Sequence, residues 1–273
     1  MNINLRNSLT MVAATVLSAV TAGTSRAHDT WLLPDRFEIT RGQTVALQLT
    51  SGMAFPELES GPKRERVESA SCRLAGRTQE ISDITAEPKA LIFKSELAEN
   101  GVATFWVKLP PKAIELKPDE VEHYLEEVGA PATLRKEWSE MEPKRWREFY
   151  AKHQKTFVRV GQPAGDRSWA ESVGSALEIL PESDPTEVRA GDEFAVRVLK
   201  NGTAHAGFAL NAVAAGESKG ETGRTDAQGR VAFRINKPGP WLLRGTDLRK
   251  AARDDADWES DFVTLTFEAK AKP

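Results

Sequence analysis

"EFAVRVLKNGTAHAGFALNAVAA", residues 193–215, decides the fold. Phe194, Val196 and Val198 alternate with other residues at a period of two, which places them on one face of a strand rather than on one stripe of a helix. Asn201-Gly202 then interrupts the run with the dipeptide best suited to a tight hairpin. Further along, "GRVAFRI" (229–235), "WLLRG" (241–245) and "FVTLTFEA" (262–269) are short apolar runs punctuated by "TDAQG" and "KPGP". Strands at this spacing predict a seven-stranded sandwich of immunoglobulin or transthyretin type over residues 176–273.

The amino-terminal half gives a second β signal. "TVALQLT" (44–50) and "VATFWVKL" (102–109) are rich in β-branched residues, with turn formers at Arg41-Gly42 and Asn100-Gly101. Residues 28–111 therefore read as a first β unit. After Pro110-Pro111 the period changes: in "KPDEVEHYLEEVG" (117–129) Val121, Tyr124, Leu125 and Val128 recur at helical spacing, Pro118 and Asp119 suit a helix start and Gly129 a stop. Trp146, Phe149, Tyr150 and His153 follow the same rule, predicting a second helix from about Thr133 to Lys155, kinked at Pro143, with an aromatic face carrying a histidine. "TFVRVG" returns as a strand, so residues 112–160 form a helical insertion, and residues 161–175 read as a linker. The expected fold is mainly β, with two β-sandwich-like units and a helical insertion between them.

The other end of the chain raises the chemical question. Arg6, the apolar run "MVAATVLSAV" (11–20) and small residues up to Ala27 have the form of an export signal over residues 1–27. The run is shorter than the about 20 apolar residues a membrane span needs, so no membrane insertion of the mature chain is expected. Cleavage after Ala27 would make His28 an amino terminus, in a periplasmic protein of 246 residues. Loss of Arg6 and Arg26 moves the formal charge from −3 to −5, which disfavours nucleic acid as a partner. Cys72 is the sole cysteine; it precludes an internal disulfide and reads as a small buried residue.

A terminal histidine offers an α-amine and an imidazole from one residue, two nitrogens that close a chelate ring on a divalent transition metal. Nickel, cobalt, copper and zinc suit such donors. His153, on its predicted aromatic face, is the second candidate ligand. His205 and His123 are expected to be solvated, as is the acidic run "RDDADWESD" (253–261), which lacks the glycine and distal glutamate of a calcium loop. No His-Glu-x-x-His signature is present, and a binding protein rather than an enzyme is expected.

Eight separated blocks add a resemblance: "AHDTWLLP", "TSGMAFP", "VEHYLEEVGA", "RWREFYAKHQKTFVRVG", "LEILPESDPT", "GRTDAQGRVAF", "PGPWLLRGTDLR" and "WESDFVTLTFE". In order and over nearly the whole mature chain they resemble an exported family of uncharacterised function linked to the periplasmic component of nickel and cobalt uptake (ABC-type transport) systems. The resemblance implies a mature chain beginning His28-Asp29, a carboxy-terminal sandwich similar to carboxypeptidase regulatory domains, and a motif position for His153. It also shows a departure, since some relatives carry a histidine where this chain has Thr246 and Asp247. The expectation is a nickel or cobalt ion held by His28, His153 and Asp29 and passed to a membrane importer. The alternatives are a copper histidine-brace oxidative enzyme, with Tyr150 as axial residue, and a metal-free structural or ligand-binding sandwich.

Overall fold

A computed structural model describes residues 29–163 and 165–272. In chain order it contains β1 (Asp29–Pro34), β2 (Glu38–Ile39), β3 (Thr44–Gly52), β4 (Ser69–Leu74), β5 (Arg77–Glu80), β6 (Asp83–Ala86), β7 (Leu91–Glu96), β8 (Gly101–Lys108) and β9 (Lys112–Leu116). Helices α1 (Pro118–Glu127) and α2 (Ala132–Glu140) follow, then β10 (Trp146–Val160), β11 (Leu177–Pro181), β12 (Glu193–Lys200), β13 (Thr203–Ala204) and β14 (Ala209–Ala214). The chain finishes with β15 (Glu221–Arg224), β16 (Arg230–Arg234), β17 (Gly239–Lys250) and β18 (Trp258–Ala269). The mainly β expectation holds.

Ten of these strands form one sheet in the order β15-β14-β17-β18-β10-β8-β4-β5, with β2 and β9 also pairing β10. It is the middle layer of three. Because successive side chains of a strand point to opposite faces, β10 contributes to two cores at once. Phe157 joins Phe194, Val196, Leu243 and Leu265 under the four-stranded sheet built on β11, β12, β13 and β16. Its neighbour Val158 joins Leu32, Leu47, Phe93 and Phe105 under the sheet β1-β3-β7-β6. Cys72 is fully buried in this second core, and burial pushes its thiol up to about 12.

The helices cover the same face as β1. Val121, Tyr124 and Leu125 of α1 pack with Trp138, Trp146, Leu248 and Trp258, and Gly129 takes the positive φ of 61° that ends the helix as its sequence predicts. The second predicted helix is corrected: α2 stops at Glu140 and residues 146–160 are a strand. Pro143 cannot continue a helix, and "WREFYAKHQKTFVRV" finds partners in β18, parallel, and in β8 and β9, antiparallel. Trp146 and Tyr150 consequently face the helices, whereas Phe149 and His153 face away from them. Segment 165–175 runs along the sheet with Trp169 buried, and Asp166 accepts from the Val102 amide at 3.0 Å.

Candidate functional site

β1 starts at the edge of a cavity of about 510 Å³. Its first residue, Asp29, is ion-paired to Arg244 of β17, whose Nε also donates to Asn211 Oδ1 at 3.3 Å. The strand is then riveted to the middle sheet: Thr264 Oγ1 donates to the Thr30 carbonyl at 2.6 Å, and Lys152 Nζ donates to Thr30 Oγ1 at 2.9 Å. These contacts fix where the mature chain would begin. His28 itself lies outside the described residues, one peptide bond before Asp29.

Met53 lines the same cavity. It follows Gly52, the register partner of Asp29, and at 43% it is the large hydrophobic side chain most open to solvent among the described residues. Its loop is held from beneath, since Glu59 Oε1 accepts the amides of Met53 and Ala54 at 2.7 and 3.1 Å. A side chain at Gly52 would collide with that carboxylate and with the Trp31 ring. Glu126, Glu127, Val128 and Gly129, at the carboxyl end of α1, also line the cavity. The carbonyls of Leu125 and Ala130 at that end are taken by the Arg135 guanidinium, at 2.8 and 3.2 Å, so the negative charge there is that of the two carboxylates. Glu127 also contacts His123 Nε2 at 3.1 Å. The cavity thus offers carboxylate oxygens and a thioether, with Arg244 and Lys219 as the cations on its lining.

His153 lies elsewhere. It points to the face opposite Lys152, so the middle sheet separates it from Asp29. Its Nε2 is 2.8 Å from Asp261 Oδ1, in a network that joins β10, β17 and β18 to β12. Lys200 Nζ bridges Asp247 at 2.7 Å and Asp261 at 2.5 Å; Arg249 contacts both, and also Glu259. Burial would raise the Asp261 pKa, but the hydrogen bonds and charges of His153 and Lys200 outweigh it and hold the carboxyl well below its ordinary range. Asp247 is lowered against the same burial effect, by Lys200, His205 and Arg249.

Two sequence expectations change here. His205, expected in solvent, is half-buried with Nε2 3.3 Å from Asp247 and its ring 5.1 Å from Phe208. The acidic run splits: Trp258 to Asp261 belong to β18, and Asp261 is buried, because Lys200 and Arg249 compensate its charge. His123 is exposed, as expected. Among the described residues no group of three or more histidine, cysteine or acidic side chains is arranged to hold a metal by itself. Met53, Arg244, Glu126 and Glu127 were not singled out as site residues from the sequence, although Met53 and Arg244 fall within the blocks "TSGMAFP" and "PGPWLLRGTDLR".

"GESKG" (216–220) lines part of the cavity and has the spacing of a hydrolase nucleophile elbow. That elbow requires a strand leading into a helix. Here the run joins antiparallel strands β14 and β15, so Ser218 lacks the context of a nucleophile.

Residues 25–246 match the family described as a domain of unknown function, DUF4198. The chain belongs to this family. No curated protein matches the sequence. Among solved structures, the D0-D1 domain of intimin is 10% identical with a TM-score of 0.23, covering 88% of this chain and 97% of that one. The Yersinia pseudotuberculosis adhesin InvE is 13% identical with a TM-score of 0.24, covering 86% of this chain and 58% of that one. Murine CEACAM1b is 9% identical with a TM-score of 0.21, covering 89% and 100%. At these scores the likenesses carry no argument about this chain. Within the described residues no helix is long and apolar enough to cross a membrane.

Proposed function

We propose that this DUF4198 protein is a periplasmic divalent-metal-binding protein associated with nickel or cobalt uptake, with the amine and imidazole of a processed His28 as its primary ligands. The observation that carries the reading is the anchoring of Asp29. Its ion pair with Arg244 sets the start of β1 at the edge of a cavity that the carboxylate-bearing end of α1 also lines. Asp29, the residue that would follow a processed His28, is itself on the cavity lining. The chelate would take up a metal with amine and imidazole nitrogen, and Glu126 and Glu127 would add negative potential.

His153 is not part of this ligand set: it stands across the sheet, engaged with Asp261. Met53 favours a second reading, copper, because a thioether beside imidazole nitrogen is a softer donor set than nickel or cobalt requires. Thermal unfolding of the processed chain with each metal separates the two. A metal at a hundred times its dissociation constant adds about 2.7 kcal/mol of stability. Nickel or cobalt stabilisation that survives Met53→Ala supports uptake of those ions; stabilisation by copper alone, lost in Met53→Ala, supports the copper reading. No stabilisation by any of these metals contradicts both.

A further inference from the structure

A second cavity, about 460 Å³, opens beside Thr30. It is of different chemistry. Four cationic side chains converge on it from separate elements: Lys63 and Arg66 from the turn after β3, Lys112 from β9 and Lys152 from β10. Glu65 is the one carboxylate on its lining. Hydroxyls of Ser51, Ser60 and Tyr150 stand among them.

The cations fall into two depths. Lys63 and Lys112 are exposed at the mouth, while Arg66 and Lys152 are half-buried. Arg66 is held by the Pro110 carbonyl at 2.9 Å, and Lys152 by Thr30, with its ammonium 5.7 Å from the Tyr150 ring centroid and 5.5 Å from that of Phe262. Burial is the main cause that lowers the Lys152 pKa, to about 8; the charges of Lys112 and Arg66 add to it, and Asp29 opposes it. Four like charges therefore line one cavity, with Glu65 as the carboxylate among its lining residues. Proteins tolerate such crowding where an anion relieves it.

We propose that this cavity binds a small organic dicarboxylate. The exposed pair and the half-buried pair of cations offer a partner to each carboxylate of such a ligand, with Pro62 and Leu109 as apolar lining for its short carbon chain. The volume lies in the range of small-molecule sites, roughly 300–1,000 Å³, and far exceeds what one inorganic oxyanion fills. The site shares no lining residue with the first cavity, although Thr30 and Lys152 stand next to Asp29 and Phe262 of that cavity.

Calorimetric titration of the metal-free full chain with succinate tests it, with acetate and sulfate as comparison anions. Succinate is expected to bind at least tenfold more tightly than either. Lys63→Ala and Lys112→Ala, at exposed positions, are expected to weaken succinate tenfold each without moving the thermal midpoint, whereas Lys136→Ala on α2 leaves binding unchanged. The proposal is overturned if succinate gives no saturable heat at millimolar concentration, if sulfate binds as tightly, or if neither lysine variant weakens binding.

Discussion

Asp261 is the residue on which most charge converges. It is buried, yet His153, Lys200 and Arg249 all reach its oxygens, at 2.8, 2.5 and 2.8 Å. Removing one member of a buried ion cluster leaves its partners charged and unpaired, which costs about 3–5 kcal/mol. Asp261→Asn is accordingly expected to lower the unfolding free energy by about 3 kcal/mol, the lower end because Lys200 and Arg249 retain Asp247 and some solvent. Urea unfolding of the variant reads this directly, and a loss under about 1 kcal/mol would show the cluster to be ornamental. Through the same residue His153 fastens β10 to β18, on the face of the middle sheet away from Asp29.

Elements differ in how far their sequence announces them. α1 was legible because its apolar residues, Pro118 and Gly129 agree on a single period and two ends. β10 was not, because Trp146, Phe149, Tyr150 and His153 satisfy a helical spacing, and only distant strands show that Tyr150 and Phe149 face opposite ways. A sequence cannot display a parallel pairing with β18 more than a hundred residues later. The site divides similarly. His28 and Asp29 could be proposed from the export signal, but Arg244, Met53 and the end of α1 come together only through the register of two sheets and the packing of a helix. Trp258 shows the energetic side of that long-range closure: it stacks on Trp146 with centroids 4.6 Å apart and planes at 15°, joining β18 to β10 beneath the helices. Trp258→Ala is expected to cost about 3–5 kcal/mol, since it opens a large cavity in a rigid cluster. Near-ultraviolet circular dichroism should lose intensity in parallel; an unchanged midpoint and spectrum would refute this packing.

At the scale of the whole molecule, the middle sheet makes two sandwiches and a helical cover share one set of strands, and charges are buried where the layers meet. Asp166, Glu178, Asp247 and Asp261 are all held below their ordinary pKa, each against the opposing effect of burial, by hydrogen bonds or cations. Glu148 goes the other way, because burial outweighs the hydrogen bonds from Ser260, Tyr124 and Trp146. A depressed carboxylate contributes stability that is fully present above its unfolded pKa, about 4, and is lost as pH falls through the folded value. Glu268 is also raised by burial, whereas Glu182, Asp255 and Asp257 are depressed like the first four. The depressed carboxylates outnumber the raised ones and predict that the urea midpoint falls from pH 5 to pH 3, and a midpoint that rose over that interval would contradict the assignment. On the other face, the proposed metal site rests on Asp29, which sets the start of β1 at the edge of a carboxylate-lined cavity. Calorimetric titration of nickel and cobalt into the chain beginning at His28, its amino terminus verified by mass spectrometry, beside the same chain with one alanine added before His28, tests it most directly. Saturable binding that the added alanine abolishes is the predicted result; equal binding by both chains, or by neither, would contradict it.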